Sequence, residues 1–240
     1  MTLIYGHRGA KGEAPENTLV SFQQCLAHGV RRCELDLHLS KDGELMVIHD
    51  PTLKRTTGRR GKVVEHDAAD LVRYDARHGG PGWKQPCPIP RLSELFEKCD
   101  FEHWQLEVKS ASRVRAARTV LAIRALAERY DLLERITITS GSREVLRALK
   151  RLTPEIACGL VAEYAWLDPL KVARQYDCQV LALKWTLCTP ERIAKARAQG
   201  LHVSVWTVND PALMRRLADC GVDSLITDFP GLAVETLTKR

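Results

Sequence analysis

From Leu92 to the C-terminus, short apolar runs alternate with amphipathic ones at nearly even spacing, and no other feature limits the fold as much. Strand-period segments cover 105–109, 136–139, 156–161, 180–183, 202–206 and 222–226, with helix-period segments between them. The helix ends carry their own marks. Thr189 precedes Pro190 and Asp210 precedes Pro211, each an N-cap followed by proline at the first helical position. Gly200 and Gly221 close the same two helices. Asp228 reads as the start of the last helix. The long helix over 113–130 is expected to carry Val114, Ala117, Leu121 and Ala125 on one apolar face.

Before Leu92, residues 3–6 read as a strand ending at His7 and Arg8. Asn17 sits where an N-cap belongs, ahead of Leu19, Phe22 and Leu26, and Gly29 ends that helix. Residues 33–38 form the second strand, and 45–48 return beside it after a tight turn at Lys41-Asp42-Gly43-Glu44. Strands alternating with helices make a parallel sheet. Eight strand–helix units in 240 residues predict an α/β fold, a closed (β/α)₈ barrel of the TIM type. An open doubly wound sheet is the alternative, weakened because no glycine-rich dinucleotide fingerprint follows the first strand. Residues 51–90, broken by Gly58, Gly61, Gly79 and Gly82 and by Pro81, Pro86, Pro88 and Pro90, leave room for one short helix over 67–74. Alternation resumes afterwards, so 1–240 is expected to be a single barrel and 51–90 an insertion over its mouth.

Composition narrows the setting. Apolar residues make up 45% of the chain, enough for a sizeable core. No stretch is long and apolar enough to span a bilayer, so no membrane insertion is expected. The first ten residues lack a basic region followed by an apolar run, which argues against a secretory signal and for a cytoplasmic protein. The eight cysteines are scattered without a CxxC pair and read as thiols in a reducing compartment. The net charge of +6 is spread along helices, and no nucleic-acid motif accompanies it. It suits a small anionic substrate better than a nucleic-acid partner.

In the 33–38 strand, Glu34 and Asp36 share one face. Like charges this close resist joint ionisation unless positive charge lies between them. A divalent cation supplies it; a solvated strand face or an arginine partner is the simpler reading. The barrel rule, which puts active sites at the C-terminal strand ends, selects residues without reference to chemistry. It selects His7, Arg8, Glu34, Asp36, His49, Glu107, Lys109, Ser140, Lys184, Trp206, Thr227 and Asp228. Glu34, Asp36 and Glu107 offer three hard oxygen ligands and favour Mg²⁺, Ca²⁺ or Mn²⁺ over zinc. With one such ion, Arg8 and Lys109 leave the site one charge positive, which a phosphodiester monoanion neutralises. His7 and His49 titrate near neutrality and can serve as general acid and base. Trp206 can pack against an apolar part of a substrate, or simply fill core. His38 lies further along and reads as a surface or rim histidine.

Gly6-His7-Arg8-Gly9-Ala10 and Ala14-Pro15-Glu16-Asn17-Thr18 open an ordered series of motifs. Glu34-Leu35-Asp36, Lys41-Asp42-Gly43, His49-Asp50-Pro51-Thr52-Leu53 and Arg55-Thr56-Thr57-Gly58 continue it. Leu106-Glu107-Val108-Lys109, Val205-Trp206-Thr207-Val208-Asn209 and Ile226-Thr227-Asp228 complete it. The series resembles the glycerophosphodiester phosphodiesterases over nearly the whole chain. That resemblance implies a (β/α)₈ barrel that uses one divalent cation to hydrolyse glycerophosphodiesters, such as glycerophosphocholine, to an alcohol and glycerol 3-phosphate. It implies Glu34, Asp36 and Glu107 as metal ligands, His7 and His49 as the acid/base pair, and Arg8 and Lys109 on the phosphate. Two other functions compete. A lysophospholipase D would need an apolar channel, and the insertion offers Trp83 and few other large apolar residues, which favours a small soluble diester. A non-catalytic barrel binding phosphorylated ligands gains nothing from the two histidines and three carboxylates. Oligomeric state is not readable from the sequence.

Overall fold

The computed structural model describes residues 2–164 and 167–238. Among these, nine strands form one sheet, and β3 (Leu45–Val47) joins it only as an antiparallel hairpin partner of β2 (Arg32–Leu39). The remaining eight are parallel and close on themselves. They run from β1 (Leu3–His7) through β2, β4 (His103–Val108), β5 (Ile136–Ser140) and β6 (Ala157–Ala162). The circuit returns to β1 through β7 (Val180–Lys184), β8 (His202–Trp206) and β9 (Ser224–Thr227). The (β/α)₈ barrel expected from the alternation is the fold observed.

The outer layer contains α1 (Leu19–Ala27), α4 (Leu92–Lys98), α5 (Arg113–Arg129), α6 (Arg143–Leu152) and α7 (Pro169–Gln175), followed by α8 (Pro190–Ala198), α9 (Pro211–Asp219) and α10 (Pro230–Thr238). The caps read from sequence at α8 and α9 are formed. Thr189 accepts from the Arg192 amide at 3.2 Å and Asp210 from the Leu213 amide at 2.7 Å. Each such cap is worth about 1 kcal/mol.

The period of two decides what each strand buries. Cys33, Leu35 and Leu37 belong to the main apolar core, as do Trp104, Leu106 and Val108 of β4. The alternate residues Glu34, Asp36, Gln105 and Glu107 are left to the barrel interior. A one-residue slip would carry those carboxylates into the helix-packed core, so burial of the Leu and Val residues, at about 1.5–3 kcal/mol each, holds the register. That register pairs His7 with Glu34 and Asp36 with Glu107, side by side on neighbouring strands.

Four local readings are corrected. Asn17 does not cap α1: it is left-handed (φ 56°), and its side chain turns to Asp36 instead. The last helix begins at Pro230, and the Asp228 carboxylate is committed elsewhere. On α5 the buried face is Ala116, Val120, Ile123 and Ala127, whereas Val114 and Leu121 are exposed. Residues 51–90 hold two short helices, α2 (Lys54–Thr57) and α3 (Ala68–Leu71), and a 3-10 turn at Val63–Glu65, where one helix over 67–74 was expected. With Met46 and Ile48 they enclose a small core of their own, including Leu53, Val63, Leu71 and Ile89.

Candidate active site

The C-terminal strand ends open into a cavity of about 940 Å³. His7, Arg8, Glu34, His49, Glu107, Lys109 and Trp206 line it together. Asp36 is fully buried behind them. The residues read as catalytic, metal-binding or substrate-binding are thus at one place, although they come from five strands or strand ends; Ser140, Lys184 and Thr227 do not line the cavity.

The first turn explains itself from its glycines. A Cβ on Gly6 would lie 2.3 Å from the Gly9 carbonyl oxygen and 2.4 Å from Cys25 Sγ. The chain then turns sharply through Arg8, which is left-handed at φ 51°. A non-glycine residue there costs about 1–3 kcal/mol and persists only when its surroundings hold it. Glu16 and Asp36 hold it here. Arg8 Nη1 donates to Glu16 Oε1 at 2.8 Å, and Arg8 Nε lies 3.0 Å from Asp36 Oδ2. The Arg8 amide donates to Glu34 Oε2 at 3.3 Å.

Glu34, Asp36 and Glu107 each present an oxygen within 4.8 Å of the others. Their electrostatics diverge. Burial pushes the Glu34 carboxyl well above the usual carboxylate range, and Asp36 and Glu107 add to the rise. Burial, reinforced by Asp36, pushes Glu107 up to about 7 although Lys109 opposes it. Asp36 is buried too, yet Arg8 and Lys109 outweigh burial and hold it well below its ordinary value. Lys109 Nζ donates to Asp36 Oδ1 at 2.7 Å and Asn17 Nδ2 to Asp36 Oδ2 at 3.0 Å. Arg8 and Lys109 lie closest to Asp36, Lys109 is 3.6 Å from Glu107 Oε2 as well, and the three carboxylates outnumber the two cations. Three hard oxygen donors with a charge deficit fit a divalent cation such as Mg²⁺, Ca²⁺ or Mn²⁺.

Both histidines are held the same way. His7 Nδ1 donates to Asp228 Oδ1 at 2.6 Å, and His49 Nδ1 donates to Asp50 Oδ1 at 2.6 Å. A carboxylate on Nδ1 fixes the tautomer and leaves Nε2 for chemistry. His7 Nε2 lies 3.9 Å from Glu34 Oε2. Burial lowers the pKa of both rings. Asp228 is fixed in turn by Asn209, whose Nδ2 donates to Asp228 Oδ2 at 2.8 Å. His38 is corrected from a rim histidine: it is buried, and its Nε2 donates to the His49 carbonyl at 2.9 Å. Arg55 of α2 grips Glu16 with Nη1 and Nη2, both at 2.8 Å, and Asp50 with Nε at 2.9 Å. Ser140 is spent on the Val108 carbonyl at 2.6 Å, and Lys184 on Glu163 at 3.0 Å.

The Glycerophosphoryl diester phosphodiesterase family profile matches residues 7–232. The chain belongs to this family. It is therefore a phosphoric diester hydrolase. A glycerophosphodiester phosphodiesterase of Caldanaerobacter subterraneus is 30% identical over 240 residues, covering 99% of this chain and 98% of its own. Among solved structures, a Silicibacter pomeroyi protein described as a putative phosphodiesterase of the same kind superposes with a TM-score of 0.92 at 28% identity, over 99% of this chain and 93% of its own. An Oleispira antarctica phosphodiesterase, solved with the product sn-glycerol-3-phosphate, gives 0.89 at 28% identity over 100% and 98%.

Read as a phosphodiesterase site, the cavity has two halves. The polar half holds the histidines, carboxylates, Arg8 and Lys109. The other half carries the apolar residues Leu160, Ala162, Leu167, Val172 and Ala182 in its wall, with Arg143 and Glu163 beside them and Trp206 of β8 next to β7. Trp206 Nε1 is bonded to the Ala182 carbonyl at 3.1 Å, which leaves its ring as the contact surface. This apolar wall comes from β6, β7, α7 and the residue Leu167 before it. The sequence reading sought such residues in the 51–90 insertion, which is why it missed them. Asp50 and Asn209 were missed as site residues as well, although each lies within one of the motifs quoted above.

Proposed function

We propose that the chain hydrolyses glycerophosphodiesters, glycerophosphocholine and glycerophosphoethanolamine among them, to the free alcohol and sn-glycerol 3-phosphate. One observation carries the reading: two histidines, each tethered through Nδ1 to its own carboxylate, share a cavity with the three-carboxylate cluster. Glu34, Asp36 and Glu107 would hold one divalent cation, whose chemistry there is to neutralise charge on the phosphoryl oxygens. Arg8 and Lys109 orient the phosphate. They reach it from the Asp36 side, where Asp36 and Glu16 already fix their direction. One histidine takes the proton of the attacking oxygen, and the other returns one to the leaving alkoxide. A bound phosphate monoanion raises the pKa of the imidazole it meets, which allows the acid to be charged near neutrality despite burial. Trp206 packs on the substrate beside the scissile bond. Residues 51–90 brace the mouth through the Arg55–Glu16–Arg8 chain. No helix among the described residues is long and apolar enough to cross a membrane. Eight scattered cysteines without a CxxC pair support a reducing, cytoplasmic setting.

The test is production of glycerol 3-phosphate from glycerophosphocholine. It should be abolished by a chelator and restored by Mg²⁺, Ca²⁺ or Mn²⁺. His7→Ala and His49→Ala should each lose about 10²–10⁴-fold in turnover while folded. Chelator-insensitive turnover, or near-full activity in either variant, would refute the assignment. The apolar half of the cavity favours a second reading: the same chemistry on single-chain phospholipids, releasing the head alcohol from the acylated diester. Comparing choline release from the two substrates decides between them.

A further inference from the structure

Among the described residues, six large apolar side chains are exposed, and four of them stand after the C-terminal ends of β4, β6 and β7. Val114, in the first turn of α5, is 64% exposed. Tyr164 and Leu167, after β6, are 63% and 37% exposed, and Trp185, directly after β7, is 41% exposed. These strand ends are neighbours in the barrel, with β5 between β4 and β6. They border the side of the mouth on which the apolar half of the cavity opens.

The charges on the same side are net positive once ion pairs are removed. Glu163 is paired with Lys184 and Glu144 with Arg147. Asp168 accepts from the Leu170 amide as the cap of α7 and remains a single carboxylate against three arginines. Arg113 and Arg115 at the start of α5 and Arg143 at the start of α6 have no carboxylate within ion-pair distance among the described residues. Exposed aromatic and aliphatic side chains among unpaired arginines match the interface of an anionic bilayer. There aromatic rings settle at headgroup depth, and arginines near the surface are drawn to the anionic headgroups. A nucleic acid would be met by the arginines alone and would leave the apolar residues unexplained.

We infer that this rim is a docking surface for an anionic phospholipid bilayer, which would place the apolar half of the cavity against the membrane. The docking is peripheral and reversible, as expected of a few shallow side chains. It goes beyond the proposed hydrolysis and does not depend on it, because binding is read without turnover.

The experiment is co-sedimentation of the chain with vesicles of equal parts phosphatidylglycerol and phosphatidylcholine, against phosphatidylcholine vesicles, at low salt. The chain should partition onto the anionic vesicles at least about tenfold more strongly, and added salt should weaken the binding. Two double variants, Val114→Glu with Trp185→Glu and Arg113→Glu with Arg115→Glu, should each reduce partitioning about tenfold or more. Arg215→Glu with Arg216→Glu makes the same charge change on exposed residues in the second half of α9, away from the mouth, and should bind like the unmodified chain. Thermal unfolding confirms that each variant is folded. Failure of the unmodified chain to bind anionic vesicles overturns the inference. So does equal binding to both vesicle types, retention of binding by the rim variants, or equal loss in the α9 variant.

Discussion

Replacing Asp228 with asparagine changes one oxygen of the group that holds His7 and leaves its shape. In the folded chain burial raises the Asp228 pKa, but the bonds from His7 and Asn209 prevail and bring it down to about 2. The ordinary value is 3.8, so the ionised carboxylate contributes about 2 kcal/mol of stability at neutral pH. Because the folded value is depressed, this stability is complete above about pH 4 and disappears as pH falls through about 2. Asp228→Asn should therefore unfold in urea about 2 kcal/mol more easily at pH 7, and the gap should shrink on acidification. The kinetic effect is larger. An amide can present its NH₂ to Nδ1 and stabilise the wrong tautomer, placing the ring proton on Nε2. Turnover should fall about 10²–10⁴-fold with KM little changed. Steady-state kinetics of glycerol 3-phosphate release, beside urea titrations at pH 7 and pH 3, measure both. A folded variant within about threefold of normal turnover, or a stability gap that ignores pH, would refute the idea that Asp228 sets the state of His7.

Three further outcomes follow from the same geometry. Glu107→Gln removes a cation ligand and should raise the metal concentration needed for half-maximal activity by about 10–100-fold; an unchanged metal titration would exclude Glu107 from the site. His103, half-buried at the opposite end of the barrel and bonded to Tyr5 and Thr137, is pushed down to about 4, chiefly by desolvation with Arg32 adding to it. Its depressed value means that stability present above about pH 6.5 is lost as pH falls toward 4, by about 3 kcal/mol, and His103→Gln should flatten that part of the stability–pH curve. Val172→Phe fills the apolar half of the cavity and should lower kcat/KM for an acylated diester about tenfold while sparing glycerophosphocholine. Equal losses on both would show that the two substrates do not diverge at that wall.

The barrel, its strand order and the caps of α8 and α9 were legible because they depend on local chemistry. Alternation of two along 33–38 separates Glu34 and Asp36 from Leu35 and Leu37 wherever the strand lies. A Thr-Pro or Asp-Pro pair starts a helix without reference to the rest of the chain. Local signals failed where two local roles competed. Asn17 has the chemistry of a cap, but a buried Asp36 carboxylate offered its amide a stronger partner. Val114 and Leu121 have helical spacing, as do Ala116, Val120, Ile123 and Ala127, and packing against the barrel selected the second set.

The sequence alone determined that strand ends would gather histidines, carboxylates and two cations at one mouth, because periodicity and the barrel rule act on each unit separately. Closure of the sheet decided the rest. It brought Asp228 to His7 across 221 positions and Glu16 to Arg55 across 39, and it set the apolar wall from β6 and β7 opposite the carboxylates. Such contacts depend on which strands become neighbours and in what register, and no short window of residues carries that information.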